Sequence, residues 1–238
     1  MHYFELTCVA YLKSDLDFHR SFETLSAFIT FSMMRGGLEE THTKSGYKHY
    51  VFGGLLPTQS DKTYKKGSTY RFAIRALDEA FITLLSKALR QNIDHPDLIV
   101  VETAHKKTTP FFIQELYSAT PVIVTCEGSL YWTMEKNGDI VQLQRQLHDN
   151  LEKKYQSFYG EAIKAPQNFI QMIEIKNRVP QNIKIHKDGK PVTFFGNKFR
   201  IVPNEDPISQ KLAFIALACG LGEKNSYGGG FCLAGGMR

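Results

Sequence analysis

The feature that most restricts how this chain can fold is a glycine-rich run near its C-terminus, residues 220–231, which reads GLGEKNSYGGGF. Five of its first eleven residues are glycine, the residue that loses the most backbone freedom on folding. Glycine is favoured where the chain turns at positive φ or where its backbone closely approaches another group. The run therefore predicts either a phosphate-binding loop of backbone N–H groups or a long turn between two elements.

Two common glycine-rich nucleotide motifs do not fit this run. A P-loop ends in Gly-Lys-Ser or Gly-Lys-Thr, which is missing here, and the dinucleotide fingerprint requires glycine where Asn225 stands. Both motifs also follow a strand, whereas Ile208, Leu212, Ile215 and Cys219 before the run have helical spacing. The order of helix, glycine loop and strand therefore excludes both motifs.

Composition limits the compartment and the class of partner. The 238 residues, 42% of them hydrophobic, suffice for one large domain or for two of about 100 residues. A net charge of +5 is consistent with a polyanionic partner. The 4 cysteines form no Cys-x-x-Cys pair, so neither a zinc site nor a disulfide framework is expected. Without a secretion signal in residues 1–13 or an apolar stretch of ~18 residues, a soluble cytoplasmic protein is predicted.

Hydrophobic periodicity in the first half predicts the order strand, helix, strand, strand, helix, strand. The strands are expected over 3–12, 48–56, 69–77 and 97–103, and the helices over 18–35 and 78–89. Asp15 or Asp17 can cap the first helix. Residues 38–46 have the polar composition of a loop, and residues 57–66 that of a basic connection.

The second half is predicted to repeat this order. A strand or bent hairpin is expected over 121–133, a helix over 140–158, strands over 169–176 and 231–234, and a last helix opening at Asp206-Pro207. A pair of strands or a hairpin is expected over 193–202, around Gly196-Asn197. A basic hairpin over 182–190 is expected to protrude. The fold class is therefore α+β, with tandem ferredoxin-like (RRM-like) βαββαβ domains over residues 1–108 and 109–238.

The glycine-rich run resembles the C-terminal signature of the CRISPR-associated repeat-processing endoribonucleases, the crRNA-maturing branch of the repeat-associated RNA-binding superfamily. That pattern is roughly Gly-x-Gly-x-Lys-x-Ser-x-Gly-(aromatic)-Gly near the chain end. It is matched at Gly220, Gly222, Lys224, Ser226, Gly228 and Gly230. It departs at Gly229, where a hydrophobic residue is usual. The resemblance also implies tandem ferredoxin-like domains.

The resemblance implies catalytic residues after the first helix. RNA can be cleaved by its own 2′-hydroxyl when a protein supplies a base, an acid and positive charge for the phosphorane. Members of the family commonly place a histidine here and a lysine a few residues later, which correspond to His42 and Lys48. His49 is the competing histidine, although it falls within a predicted strand. Other members use a tyrosine on the first helix; this helix has none, and Tyr47 is a weak substitute.

RNA contacts are expected from the glycine-rich run and from basic positions elsewhere. The predicted RNA-binding residues are Gly220, Gly222, Lys224, Asn225, Ser226, Gly228, Gly230, Arg71, Arg75, Lys62, Lys65 and Lys66. Arg71 and Arg75 share a strand face, where they can line an RNA groove or pair with carboxylates. Lys153 and Lys154 are assigned to the exposed side of the long helix.

These patterns predict a metal-independent endoribonuclease that cleaves CRISPR repeat RNA within precursor transcripts to give mature guide RNAs. Attack by the 2′-hydroxyl would leave a 2′,3′-cyclic phosphate and a 5′-hydroxyl. No paired carboxylates with metal-site spacing are found, so neither metal nor cofactor is expected. The expected partners are precursor and mature guide RNA and a multisubunit CRISPR effector complex, with no membrane. The alternatives are a catalytically inactive RNA-binding subunit of such a complex and, more weakly, an unrelated ferredoxin-like metabolic protein.

Overall fold

The computed structural model describes residues 1–43, 45–187 and 189–235, without the side chains of His42 and Ser129. The first half comprises β1 (Tyr3–Leu12), β2 (Leu16–Asp17), α1 (Phe18–Arg35), α2 (Glu39–Thr43), β3 (Tyr50–Phe52), β4 (Thr63–Tyr64), β5 (Thr69–Ala76), α3 (Glu79–Gln91) and β6 (Leu98–Thr108). The second half comprises β7 (Glu115–Ser118), α4 (Ile140–Tyr159), β8 (Ile170–Ile175), β9 (Gln181–Lys187), β10 (Lys190–Gly196), β11 (Phe199–Pro203), α5 (Pro207–Cys219) and β12 (Cys232–Gly235). Short 3-10 turns form at Glu127–Ser129 and Asn225–Tyr227.

Each half is built on a four-stranded antiparallel sheet of ferredoxin-like order. The first sheet runs β3-β5-β1-β6 and the second β12-β7-β11-β8, so in both halves the first and third main strands are central. Helix α5 of the second half packs against β3 and β5 of the first. The predicted tandem ferredoxin-like fold is therefore confirmed. Among the described helices, none is long and apolar enough to cross a membrane.

Aspartates begin the helices where the sequence indicated. The Asp17 carboxylate accepts a hydrogen bond from the His19 amide and caps α1, so Asp17 rather than Asp15 is the capping residue. Asp206 caps α5 in the same way, and Pro207 occupies the first turn, where it has no helical hydrogen bond to lose. Both caps satisfy amide groups of a first helical turn that have no acceptor within the helix.

Three predictions for the first half need correction. The strand expected over 48–56 is only the three residues of β3, followed by a single bridge from Leu56 to Arg71. It begins late because His49 has a φ of 51°, which turns the backbone out of the extended conformation. The expected loop over 38–46 contains α2. The basic connection over 57–66 contains β4, which pairs with β2.

The second half also differs from the sequence prediction at two places. Its first strand is β7, whereas residues 121–133 form isolated bridges on either side of a 3-10 turn. The hairpin expected over 193–202 is divided between two sheets, since β10 pairs with β9 and β11 with β7 and β8. The division falls at the buried Asn197. Its side-chain nitrogen donates to the Asn177 carbonyl, and its side-chain oxygen accepts from the main-chain amide of Met134.

The β9–β10 hairpin lies across the first half. Ile183, Ile185 and Phe194 are buried in the same apolar core as α1 and the first sheet. At its edge, the His186 amide and ring contact the Glu23 carboxylate of α1. The hairpin is therefore docked rather than simply protruding. In the sequence, the last strand of the first sheet ends at Thr108 and the first strand of the second sheet begins at Glu115. A domain boundary at residue 108 stays a prediction.

Candidate functional site

The glycine loop, residues 220–230, is shaped by contacts with the protein itself. Gly222, Gly228 and Gly230 have φ values of 68°, 87° and 69°. A Cβ on Gly230 would lie 1.9 Å from the Leu221 carbonyl oxygen, and one on Gly228 would lie 2.4 Å from the Phe22 ring. Glycine is thus required both by the left-handed conformation and by close internal packing.

Many of the loop amides are used within the protein. The Glu223 amide donates to the Ile123 carbonyl at 2.7 Å, and the Gly230 amide donates to the Pro121 carbonyl at 2.9 Å. The Ser26 hydroxyl of α1 donates to the Ser226 carbonyl at 3.0 Å. These contacts tie the loop to both halves. For these amides, the turn that the sequence left open as an alternative fits better than a phosphate cradle.

Lys154 of α4 holds the glycine loop through hydrogen bonds from its ammonium group. The residue is only 2% exposed, and Nζ donates to the Gly220 carbonyl, the Gly222 carbonyl and the Asn225 Oδ1 at 2.6, 2.7 and 2.8 Å. Burial lowers the pKa of Lys154 to about 8. The prediction that Lys154 is exposed was therefore wrong, whereas Lys153 is exposed as predicted. The missed signal is helical spacing, since Lys154 lies on the apolar face of α4.

Arg75 is enclosed between the two halves. Its guanidinium pairs with the Glu5 carboxylate at 2.6 Å, donates to the Cys232 carbonyl, and lies 4.5 Å above the Phe231 ring. Its side chain is 8% exposed, so it is not available to an RNA phosphate at the surface. Of the two roles left open by the sequence, Arg75 has the carboxylate pairing. Arg71 on the same strand is exposed.

The 39–49 segment carries the predicted catalytic residues. The backbone of His42 belongs to α2, while its side chain lies outside the described part of the chain, as does Lys44. The Lys48 ammonium donates to the Thr41 carbonyl at 3.2 Å, which brings it next to the helical residue that precedes His42. Burial lowers the pKa of Lys48.

Tyr47 and His49 complete this side of the site. The His49 ring packs edge-on against Phe158 of α4, with a centroid separation of 5.3 Å, and lies 6.4 Å from the Tyr47 ring. His49 is outside β3, contrary to the prediction that it lies in a strand. Burial and the nearby Glu223 carboxylate raise the pKa of Tyr47.

Two cavities adjoin the 39–49 segment, and the second of them also adjoins the glycine loop. One, of about 320 Å³, lies between α2, the start of α3 and Phe158. The other, of about 330 Å³, lies against the loop from Gly222 to Tyr227. Both are lined by Tyr47, Lys48 and His49, so the structure brings these residues together with Lys224, Asn225 and Ser226.

The basic connection predicted over residues 57–66 does not line either of these two cavities. Lys62 and Lys65 flank β4, which pairs with β2 at the start of α1. Lys65 forms a 2.6 Å ion pair with Asp61, and both side chains are about half exposed. Lys66 is exposed, and its amide donates to the Asp15 carboxylate. These lysines present positive charge at a different surface from the two cavities.

One group of side chains in the described residues has the arrangement of a metal site. Donor atoms of His148, Asp149 and Glu152 lie within 4.8 Å of one another on α4. However, His148 Nδ1 accepts from the Phe169 amide at 3.1 Å, and Nε2 lies 3.1 Å from the Glu152 carboxylate. Both ring nitrogens are thus engaged in protein contacts, and the contact through Nδ1 links α4 to the residue before β8.

The family is decided by a match to the C-terminal half of the molecule. The family model described as CRISPR associated protein Cas6, C-terminal, matches residues 102–233. The chain belongs to the Cas6 family. The match covers the second sheet, its helices and the glycine loop, which is the part that carried the sequence resemblance.

Individual Cas6 relatives are similar along the whole chain. A protein of Methanocaldococcus jannaschii named CRISPR-associated endoribonuclease Cas6 2 is 24% identical over 231 residues, covering 92% of this chain and 94% of the relative. A solved structure of a CRISPR associated protein Cas6 superposes with a TM-score of 0.72 at 17% identity, covering 98% of this chain and 99% of that one. Another, titled a RAMP protein binding different RNA substrates, superposes with a TM-score of 0.69 at 14% identity, covering 97% and 99%. These structures share the fold.

Proposed function

We propose that this Cas6-family chain cleaves CRISPR repeat RNA within precursor transcripts, releasing mature guide RNAs without using a metal ion. The observation that carries the proposal is the 3.2 Å contact of the Lys48 ammonium with the Thr41 carbonyl. It holds a cation beside the helix that bears His42, at the edge of a cavity large enough for a nucleotide. The M. jannaschii relative is itself named an endoribonuclease.

The proposed reaction uses the 2′-hydroxyl of the RNA as its nucleophile. A base removes the proton of this hydroxyl, which attacks the adjacent phosphorus, and an acid protonates the departing 5′-oxygen. The products are a 2′,3′-cyclic phosphate and a 5′-hydroxyl. His42 serves as an acid–base residue, and Lys48 stabilises the negative charge that accumulates on the phosphorane. Partial burial strengthens this charge interaction because water screens it less.

The RNA is proposed to run from the cavity that Lys224 lines to exposed basic positions beyond it. Lys224 has a side chain 36% exposed and lies 5.6 Å above the Phe194 ring, while Arg71 is exposed on β5. Mature guide RNA would remain available to a multisubunit effector complex. The 4 cysteines are free and buried, which fits the reducing cytoplasm as the site of action.

The test is incubation of the chain with the repeat RNA encoded beside its gene, in excess chelator. Cleavage should persist and give the two end groups named above. A single 2′-deoxy substitution at the nucleotide 5′ of the cut should abolish cleavage while leaving binding intact. A strict magnesium requirement, or normal cleavage of the deoxy substrate, would exclude this mechanism.

The alternative is a subunit that binds RNA without cutting it. It is favoured by the absence of tyrosine from α1 and by the use of the Ser26 hydroxyl to hold the glycine loop rather than to face a substrate. Tight binding of repeat RNA with no cleavage by the unaltered protein would support this alternative.

A further inference from the structure

A polar cavity of about 400 Å³ lies between α4 and the glycine loop, next to the site described above. Its walls include Tyr47, Gln146, Asn150, Lys153 and Glu223. We propose that this cavity, the base pocket, binds one unstacked guanine base of the RNA next to the cleaved phosphodiester. The inference rests on the proposed function, because it names the nucleotide that the same site selects. Its volume is within the range of about 300–1,000 Å³ typical of small-molecule sites.

Thr125 fixes two acceptor side chains of the base pocket. Its amide and hydroxyl donate to the two carboxylate oxygens of Glu223 at 3.0 and 2.7 Å. Its carbonyl accepts from Gln146 Nε2 at 3.2 Å. Since a carbonyl can only accept, the Gln146 amide nitrogen must face Thr125 and its oxygen must face away. Thr125 therefore uses its main-chain amide, its hydroxyl and its carbonyl to orient oxygen atoms of other residues.

Two acceptor oxygens on α4 have no donor among the described residues. Among the described residues, Gln146 Oε1 and Asn150 Oδ1 are buried and meet no hydrogen-bond partner. Leaving a buried acceptor unsatisfied costs about 1–3 kcal/mol, so such atoms are uncommon without a reason. A ligand that donates hydrogen bonds to them would remove this cost. Both residues line the base pocket, one turn of α4 apart.

The excess of acceptors favours guanine over the other bases. A carboxylate has about four lone-pair positions, and Thr125 occupies two of those on Glu223. The Watson–Crick edge of guanine offers adjacent N1–H and N2–H₂ donors, which match a carboxylate and a neighbouring amide oxygen. Adenine and cytosine each present one amino group beside a ring acceptor. Uracil would direct two carbonyl oxygens at the acceptors of the pocket, so it should fit worst.

The surroundings of the base pocket suit a nucleotide rather than a free base. Tyr47 offers an aromatic face for stacking, and the exposed Lys153 offers a cation for a phosphate. Tyr47 also lines both cavities that contain Lys48. A base held here would therefore belong to a nucleotide close to the phosphodiester that Lys48 serves.

The first test uses the unaltered protein and altered RNA, so it does not depend on the folding of a variant. After the cut is mapped, the guanosine next to it is replaced by inosine, which lacks only the N2 amino group, or by adenosine. We expect kcat/KM to fall by about 10-fold for inosine and about 100-fold for adenosine, the worth of one or two specific base contacts. The same replacements at a guanosine far from the cut should have little effect.

The second test assigns this preference to the base pocket. In Gln146→Leu, guanosine and inosine substrates should be cleaved at similar rates. Gln156→Leu changes an exposed glutamine on the same helix and should keep the wild-type preference. Glu223→Gln, which retains the shape but not the charge of the side chain, should narrow the preference for guanosine over adenosine.

The outcomes separate this inference from the proposed function. Equal cleavage of the guanosine, inosine and adenosine substrates, or a cut with no adjoining guanine, would overturn the base pocket while leaving the endoribonuclease intact. If the unaltered protein binds the RNA but does not cut it, the proposed function fails. In that case each guanosine of the repeat RNA is replaced by inosine in turn and the binding affinities are compared, where equal affinities at every position would also overturn the pocket.

Discussion

The glycine loop and the 39–49 segment line one cavity together, but they are built in opposite ways. The loop is held by hydrogen bonds to several other segments, including those of the Lys154 ammonium and of the Pro121 and Ile123 carbonyls. In its described part, the segment consists of the five-residue α2 and of residues 45–49, which are exposed or partly exposed and end at His49 in a left-handed conformation. The difference suggests that the loop provides a rigid wall, whereas the segment supplies the reacting groups.

The largest expected effect is on the cleavage rate, when a predicted catalytic residue of the 39–49 segment is replaced. His42→Ala should lower the single-turnover cleavage rate by roughly 10²–10⁴, the usual worth of a positioned acid–base group. RNA affinity and the melting temperature should change little, because α2 is short and partly exposed. His105→Ala, at an exposed histidine on β6, is the matched control. Wild-type cleavage by His42→Ala would make His49 the next candidate.

In the glycine loop, by contrast, a substitution should lower the free energy of unfolding and not only the cleavage rate. Gly230→Ala should lower the free energy of unfolding by roughly 2–5 kcal/mol, because its Cβ would overlap the Leu221 carbonyl as well as adopt a left-handed φ. Gly160→Ala is the control: its φ is 76°, but no described atom lies within 4 Å of the added Cβ. It should cost only about 1–2 kcal/mol.

Chemical denaturation measures both values. If the two alanine variants lose equal stability, only the left-handed conformation matters and the loop is not a tightly packed wall.

The sequence predicted the scaffold better than the site. Alternating burial in β1 and the caps at Asp17 and Asp206 depend on neighbouring residues, so they could be inferred locally. The short β3 could not, because the left-handed turn at His49 depends on packing against α4. Lys154 was missed because lysine is rarely fully buried, and its partners lie 66–71 residues away in the chain.

Lys153 and Lys154 are adjacent on α4, but Lys153 is exposed and Lys154 is buried. Replacing each in turn distinguishes a structural lysine from an exposed one. Lys154→Met should lower the free energy of unfolding at neutral pH by roughly 2–4 kcal/mol, because three acceptors of the glycine loop lose their donor. Lys153→Met should have little effect, since Lys153 is exposed. Equal stability of the two variants in urea would show that Lys154 does not hold the loop.

The burial of Lys154 also predicts the direction in which the free energy of unfolding changes with pH. The pKa of Lys154 falls from 10.5 to about 8 in the folded chain. Between these values the unfolded chain holds a proton that the folded chain has lost, so this lysine makes the free energy of unfolding rise with pH. The wild type and Lys153→Met should show this contribution, and Lys154→Met should lack it. An unchanged pH slope in Lys154→Met would contradict the assignment.

The smallest expected effect tests whether the glycine loop touches RNA at all. Lys224 is its partly exposed cation, 4.0 Å from the Glu223 carboxylate. Lys224→Ala should weaken repeat RNA binding by roughly 5- to 10-fold at low salt, and the loss should shrink as salt rises, since each phosphate contact releases a counterion. The slope of log affinity against log salt should become shallower by about 0.7 for a single-stranded contact. Lys176→Ala, at an exposed lysine paired with Glu174 on β8, should leave this slope unchanged. Unchanged affinity and slope in Lys224→Ala would mean that the loop supports the site without binding RNA.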